Sequence, residues 1–558
     1  MADCDLFEFD LDSFFGIEVV VLPNDFIRMN RIQICYSKSL GHFFRFCFGQ
    51  ISVWAILLFS LIGPISCRDD FERISHSAQD QPSFSADTVL LDTLFSRLSS
   101  ATHELKIYNR NKSSIRLDRI ALESGNRGYR INVDGRSGDS FPSMIILPGD
   151  SMYVFVEATF PEGEDDLPGE ITDKLLVECR GVQSSVLLRG FRLNADRVGA
   201  LIIERDTTLS LKRPLLVRDS IVVASQATLT IQGGGRLCFY PKAYMGIHGR
   251  LIAEGQRTTP IRMEGERQDR LLEDLPYPLV PGQWGGVYFG KSSHGNRMTY
   301  CELRNAVNGI VFDGVRSPEE MILTMENSLV SNIKGYGLVA EGGRLELSNS
   351  EISNTLNTSL LLNGSSCLIR SCSFVNFYPW DNRGGPTILY TDVISHDEAG
   401  NPIEKPLPTP GSSFEMISSV VDGSRATRVS PGSIPNDNMG ELILRLVDST
   451  ALGQSIHISH SFLRIPEAYH VNSAMKDCLL PKDDKPADLK KDRYYLSLGY
   501  DNKPVPERNF RYDFRPFPTA PFVGKGMFLD TWPVDRTGVA RSGSPTAGCY
   551  EPEQSAEK

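Results

Sequence analysis

Asn327-Ser328-Leu329-Val330-Ser331-Asn332, Asn349-Ser350-Glu351-Ile352-Ser353-Asn354 and Ser371-Cys372-Ser373-Phe374-Val375-Asn376 are three versions of one hexapeptide. A looser version, Tyr300-Cys301-Glu302-Leu303-Arg304-Asn305, precedes them. The closing Asn steps through 305, 332, 354 and 376, at intervals of 27, 22 and 22 residues. Short apolar runs, polar turns and a period in the low twenties mark a solenoid.

Each coil of such a chain makes short parallel strands whose side chains alternate between interior and solvent. One coil cannot bury its apolar face alone, so neighbours must stack. Leu303, Val330, Ile352 and Phe374 share one phase and are expected in a single interior column. Asn305, Asn332, Asn354 and Asn376 are expected at one corner, because Asn tolerates left-handed backbone and bonds to turn carbonyls. Gly309, Gly314, Gly335, Gly337, Gly342 and Gly364 supply sharp corners. Cys238, Cys301, Cys367 and Cys372 read as interior residues, since free Cys packs as a small hydrophobe.

Upstream come Ala227–Leu237, Gly246–Gly255, Thr259–Met263 and Gly282-Gln283-Trp284-Gly285-Gly286-Val287-Tyr288-Phe289. Together these resemble right-handed parallel β-helix lipoproteins of the pectate-lyase-like superfamily, well over 201–394 and less well over 414–465. Trp284 reads as a buried edge residue, with a sugar platform as the alternative, and Gly285-Gly286 as a bend or close approach. The fold class expected is all-β: a small β-sandwich over 83–195, a right-handed parallel β-helix over 196–470, and a C-terminal closing segment or cap over 471–558. The sandwich rests on period-2 patterning. Leu105-Lys106-Ile107-Tyr108, Ile115–Ile120 and Leu147-Pro148-Gly149-Asp150 resemble immunoglobulin-like modules of bacterial surface proteins. Its acidic run 162–166 reads as a solvated hairpin tip, with a calcium site as the alternative. Asp535-Arg536-Thr537-Gly538 through Gly548-Cys549-Tyr550-Glu551 resembles the closing segment of β-helix surface proteins, which implies a structural ion pair and turn at Asp535-Arg536.

The front of the chain is different. Residues 1–28 lack a strand or helix period and read as an over-called start. Residues 29–66 carry Arg31, Lys38 and Arg45, then an apolar run from Phe46 to Ile65, the order of a secretory signal. A transmembrane anchor is the alternative. Ile65-Ser66-Cys67 resembles a bacterial lipobox, which implies a lipidated Cys67 at the mature N-terminus. Residues 67–82 then form a tether, and Arg68-Asp69-Asp70-Phe71-Glu72 is similar to the surface-export signal of some Gram-negative lipoproteins. Outer-membrane attachment at the cell surface is the localisation implied.

Net charge is −11 and no basic cluster stands out, which argues against nucleic acid as a partner. There is no P-loop, dinucleotide fingerprint or nucleophile elbow in the sequence. Two places remain for function. Asp313 and Glu341 each follow an outward strand, with Asn363 at the matching place in the next coil, a pattern of hard oxygen ligands for Ca2+. Tyr378-Pro379-Trp380-Asp381-Asn382-Arg383 breaks the repeat, and its aromatic and planar polar groups suit a sugar. Tyr378, Trp380, Asp381 and Arg383 are the binding candidates, with a packed loop as the bland reading. Residues 264–281 and 397–413 are further excursions. The function expected is a non-catalytic module that binds or displays toward a polysaccharide or host surface ligand. The alternative is a polysaccharide lyase or glycoside hydrolase working in a groove.

Overall fold

The structure, a computed structural model, describes residues 73–164, 166–272, 275–397, 399–427, 439–448, 452–481, 494–498 and 512–552. The expectations for residues 1–28, the signal at 29–66, Cys67 and the tether up to residue 72 lie outside them. Among the described residues no helix is long and apolar enough to cross a membrane.

Ten strands build the sandwich: β1 (Ser83–Phe84), β2 (Thr88–Phe95), β3 (His103–Tyr108), β4 (Ile115–Leu122), β5 (Tyr129–Val133), β6 (Arg136–Gly138), β7 (Ser140–Ile146), β8 (Ser151–Ala158), β9 (Gly169–Cys179) and β10 (Val182–Leu193). One sheet runs β1-β3-β8-β5-β6 and the other β2-β10-β9-β4-β7. The alternation seen in the sequence is the cause: Leu105, Ile107, Val154, Val156, Leu175 and Val177 are fully buried between the sheets. The β9–β10 hairpin turns through Arg180-Gly181, both at positive φ, as a two-residue hairpin link requires.

From Asp196 to Lys476 the chain forms one parallel sheet of 26 strands wound into a solenoid. Each coil contributes to three faces. The first carries Thr228–Gln232, Arg250–Glu254 and their successors. The second carries Cys301–Arg304, Leu329–Ile333, Glu351–Thr355, Ser373–Asn376 and Val420–Gly423. The third carries Ile310–Phe312, Leu360–Asn363, Ile388–Thr391 and Leu442–Arg445. Leu303, Val330, Ile352 and Phe374 stack in register and are buried. Trp284 is fully buried, stacks on Phe239 at 4.3 Å, and donates from Nε1 to the Arg304 carbonyl at 2.8 Å. A Cβ on Gly286 (φ 124°) would stand 1.9 Å from the Asn308 carbonyl oxygen, so the close approach there requires glycine.

The corner between the first and second faces is built from the opening residue of each hexapeptide. Tyr300, Asn327, Asn349, Ser371, Ser418 and His460 all sit at φ between 46° and 54°. Such backbone costs a non-glycine residue about 1–2 kcal/mol. The following residue offsets it through a ladder of hydroxyls. The Cys301 N–H donates to Ser328 Oγ at 3.0 Å and the Ser328 N–H to Ser350 Oγ at 2.9 Å. The Cys372 N–H donates to Ser419 Oγ and the Ser419 N–H to Ser461 Oγ, both at 3.0 Å. Each Ser hydroxyl donates in turn to the carbonyl two residues back. Cys372 and Cys478 occupy two rungs, their sulfurs taking the N–H of Ser350 and Ser461.

The expected Asn corner is realised in part. Asn332 Nδ2 donates to Asn305 Oδ1 at 2.8 Å, and both have positive φ. Asn354 keeps the positive φ, but its Oδ1 accepts the Phe377 N–H. Asn376 is outside the positive-φ set, and its amide donates to Thr355 O at 2.9 Å, because the chain leaves the coil here. An unforeseen Asn pair lies at the other corner, where Asn349 Nδ2 donates to Asn327 Oδ1 at 2.7 Å. Cys238 is also corrected. It is buried outside the solenoid interior, in the junction with Phe95, Leu193, Ala195 and Leu216.

The junction explains two loops. Glu162 pairs with Arg97 at 2.9 Å and with Arg213 of the solenoid at 3.1 Å, and Asp166 also pairs with Arg213. Glu162 and Asp166 thus stay exposed, as a solvated turn predicts, while pairing with the solenoid's Arg213. The 264–281 excursion reaches back: Asp269 accepts the Ala101 N–H at 2.8 Å, and Arg270 pairs with Asp92.

The closing segment covers a side of the solenoid. Val375, Val420 and Phe462 on the second face pack under Tyr495, Phe514 and Phe522. Tyr550 Oη donates to Glu351 at 2.6 Å and Arg541 to Asn349 Oδ1 at 2.8 Å. Asp535 and Arg536 do not pair with each other. Asp535 accepts the N–H groups of Thr537, Val539 and Glu551, each at 2.8 Å, while Arg536 pairs with Glu302 at 3.2 Å.

The hydroxyl ladder yields a substitution series. Ser419→Ala strips the buried Cys372 N–H of its acceptor, a loss of about 1–3 kcal/mol. Ser419→Cys, the replacement the chain itself uses at 372 and 478, is expected to cost less. Denaturant unfolding of both variants measures the order, and equal losses would remove the ladder as an energetic feature.

Candidate functional site

Outward residues of the third face form two rows. Val339, Leu361, Leu389 and Ile443 lie in register as an apolar row. Glu341, Asn363, Thr391 and Arg445 lie in register as a polar row beside it. The period-2 alternation dictates this pairing, since interior Leu360, Leu362, Ile388 and Tyr390 fill the positions between.

Over the later coils these rows floor a groove of ≈ 850 Å³. Gly384, Gly385, Pro386 and Arg425 line it at one margin, and Ser395, His396, Pro402 and Ile403 at the other. Both margins are held by buried carboxylates of the solenoid. Glu341, 2 % exposed, accepts from Ser395 Oγ at 2.8 Å, from the His396 N–H at 2.8 Å and from the Ser395 N–H. Its second oxygen meets His396 Nδ1 at 3.0 Å. Glu441, fully buried, takes both Arg383 Nη atoms at 2.7 and 2.8 Å and Thr387 Oγ1 at 2.7 Å. It also accepts the Arg425 N–H at 2.7 Å. Burial pushes the Glu441 carboxyl up, but the Arg383 charge and these hydrogen bonds outweigh it and hold the group below its ordinary value.

The residues singled out in the sequence fall around this groove. Tyr378 is buried, and burial pushes its phenol up to about 12. Arg383 is a buried ion-pair partner with a side chain 5 % exposed. Trp380 is half-buried and Asp381 exposed. With Ser424, residues 378–383 surround a separate polar depression of ≈ 410 Å³. Asp313 is exposed, whereas Glu341 turns its carboxylate to the 395–396 backbone. Among the described residues no group of three or more His, Cys, Asp or Glu side chains could hold a metal ion. The apolar row, His396, Arg425 and Arg445 were missed. The 22-residue period carries the row, but nothing local signals the Glu341–His396 or Arg383–Glu441 contacts, which span 55 and 58 residues.

No protein-family profile matches the chain, and no curated protein does. Solved structures give partial matches. One is a protein of unknown function from Porphyromonas gingivalis: 12 % identity, 22 % of this chain, 59 % of the other, TM-score 0.16. Another is a family 123 glycoside hydrolase from Clostridium perfringens: 10 % identity, 22 % and 30 %, TM-score 0.15. A third is BcpA, the major pilin subunit of Bacillus cereus: 6 % identity, 22 % and 43 %, TM-score 0.14. Agreement at that level carries no argument about fold or activity.

Two outcomes follow from the margins. Glu341→Ala should raise amide exchange across 394–403 while the sandwich exchanges as before, and unchanged protection there would remove Glu341 as the anchor. Arg383→Ala leaves a buried carboxylate unpaired, at about 3–5 kcal/mol. Because Glu441 is depressed in the folded state, the stability it adds is complete above its ordinary value of 4.5 and drains as pH falls through the lowered one. A pH series of unfolding midpoints should therefore show an acid slope that Arg383→Ala flattens.

Proposed function

We propose that the chain is a lipid-anchored protein of the outer membrane, exposed at the cell surface, whose solenoid binds a polysaccharide or a host surface glycan in the third-face groove without cleaving it. The groove is the observation that carries this reading. Half-buried Leu389, flanked by Leu361 and Ile443, suits the C–H face of a pyranose ring, and the polar row beside it suits the hydroxyls at the ring's edge. Both margins rest on buried carboxylates with several hydrogen-bond donors each, so the site is largely pre-formed, which lowers the ordering cost of binding. The anchor reading rests on Ile65-Ser66-Cys67 and the acidic run behind it. Two acyl chains or more give stable attachment where one is marginal.

The alternative, a lyase or hydrolase of the pectate-lyase-like kind, draws on one feature. His396 lines the groove with its Nδ1 against the buried Glu341, the arrangement that orients an imidazole for proton transfer.

A glycan array on the purified protein, followed by product detection on every glycan bound, tests both. Binding without products is the expected result, and Leu389→Arg should weaken it for every glycan held by the groove. Cleavage of any polysaccharide would replace the binding reading with the enzymatic one, and no binding at all would leave a structural spacer. In cells, Cys67→Ala should move the protein out of the membrane fraction; retention there would end the lipoprotein assignment.

A further inference from the structure

A second site lies away from the groove, on the sandwich. The outward face of the β3-β8-β5 sheet presents Tyr153, Phe155 and Glu157 from β8 and Arg130 and Asn132 from β5. Phe155 pairs across the ladder with Asn132, and Glu157 with Arg130. The β6–β7 connection rises beside them and closes a depression of ≈ 320 Å³ lined by Thr102, Arg130, Asn132, Ser137, Phe155 and Glu157, among others.

Its chemistry is mixed in a specific way. Phe155 is half-buried and lies 6.0 Å from Tyr153 with rings 14° apart, while Tyr153 is 42 % exposed. Large aromatic area left at a surface beside fixed polar groups is a recognition feature. Glu157 accepts from Thr102 Oγ1 at 2.5 Å and pairs with Arg130 at 3.3 Å. The Thr102 bond holds its carboxyl below the ordinary value. Asn132 donates from Nδ2 to Ser137 Oγ at 3.1 Å, yet its Oδ1 is buried with no donor. Interchanging the amide's oxygen and nitrogen leaves the same deficit, because the nitrogen would then be the orphan. Asn132 itself is half-buried, and a covered amide atom short of one hydrogen bond needs a partner. A hydroxyl meets either need, since it donates and accepts. Arg130 balances Glu157 and Asp139 adds one more carboxylate to the lining, so the wall disfavours an anionic ligand.

We propose that this depression is a saccharide subsite that takes one neutral pyranose residue, with its ring face on Phe155 and a hydroxyl on the Asn132 amide after a small turn about its side-chain torsion. The subsite is independent of the groove. A chain holding both would engage a polymeric glycan at two points, and the second contact gains from effective concentration.

Ligand-detected saturation-transfer NMR and titration calorimetry on the full chain test it, with cellohexaose, maltohexaose, mannohexaose and galactohexaose as probes. At least one probe should bind, and Asn132→Ala and Phe155→Ala should each weaken it by about three- to tenfold, the worth of one hydrogen bond or one aromatic contact. Thermal melts of both variants establish folding, and Asn132→Ala, the smaller change, carries the test if Phe155→Ala melts early. Leu389→Arg should leave this binding intact. A signal lost only in Leu389→Arg would overturn the subsite and leave the groove standing. A signal weakened only in the sandwich variants is the expected result and leaves the groove to be judged on the glycans whose binding Leu389→Arg removes. No saturation transfer to any of the four probes would overturn the subsite.

Discussion

Everything in the solenoid depends on closing one corner the same way in coil after coil. A parallel strand finds its backbone partners only in the coils before and after it, so a corner that drifts would cost every later strand its register. The chain meets this with a residue held at φ near 50° and, directly after it, a side chain that accepts the N–H of the coil before. The left-handed residue is strained and the hydroxyl bond offsets the strain. The two belong to one device, which is why the hexapeptide opens Asn-Ser or Ser-Cys and not with a glycine alone. Sulfur serves at 372 and 478 because burial keeps the thiol protonated, pushing Cys372 up to about 12 and Cys478 to about 11.

Once the corner is regular, the outward face becomes predictable and excursions become affordable to the fold. The chain departs after Asn376, returns at Ile388, departs again after Thr391 and returns at Ser413, and the strands on either side stay in register. The excursions are tied down by carboxylates that belong to the coils: Glu341 holds the 395–396 backbone and Glu441 holds Arg383. Buried carboxylates are weak contributors to net stability but strict about geometry, since removing their donors leaves an unpaired charge in a dry place. Here that strictness fixes the shape of the groove.

The period, the interior column and the order of the two domains were legible because each follows from local alternation or from spacing along the chain. The apolar and polar rows were implicit in the same alternation, and extending the phase of Glu341 and Asn363 through Thr391 to Arg445 reaches the groove floor. The margins were not legible. His396 meets Glu341 across 55 residues, and Arg383 meets Glu441 across 58. Trp380 and Arg383 attracted notice as a sugar-binding loop for their residue types, yet Arg383 is consumed by Glu441. Type alone does not tell a ligand-facing arginine from one that is buried to hold a loop. The closing segment misled in a related way. Its adjacent Asp535-Arg536 suggested a local pair, but Asp535 organises its own turn while Arg536 reaches Glu302, more than two hundred residues earlier.

The lateral course of that closing segment bears on which face is left for recognition. Val375, Val420 and Phe462 point outward on the second face and would be an exposed apolar stripe without Tyr495, Phe514 and Phe522 over them. At the early coils the sandwich is bound through Phe95 and Leu216, through Arg270 to Asp92 and through Arg213 to Glu162. The second face is thus covered by the chain's own tail, and the early end by the sandwich. On the third face Val339, Leu361 and Ile443 are already buried beneath the groove's margins, and Leu389 is the half-buried member of the row, between margins that the coils themselves hold in place. What this face offers a ligand is therefore Leu389 and the polar row of Asn363, Thr391 and Arg445 beside it, the part of the solenoid surface that, among the described residues, neither the tail nor the sandwich covers.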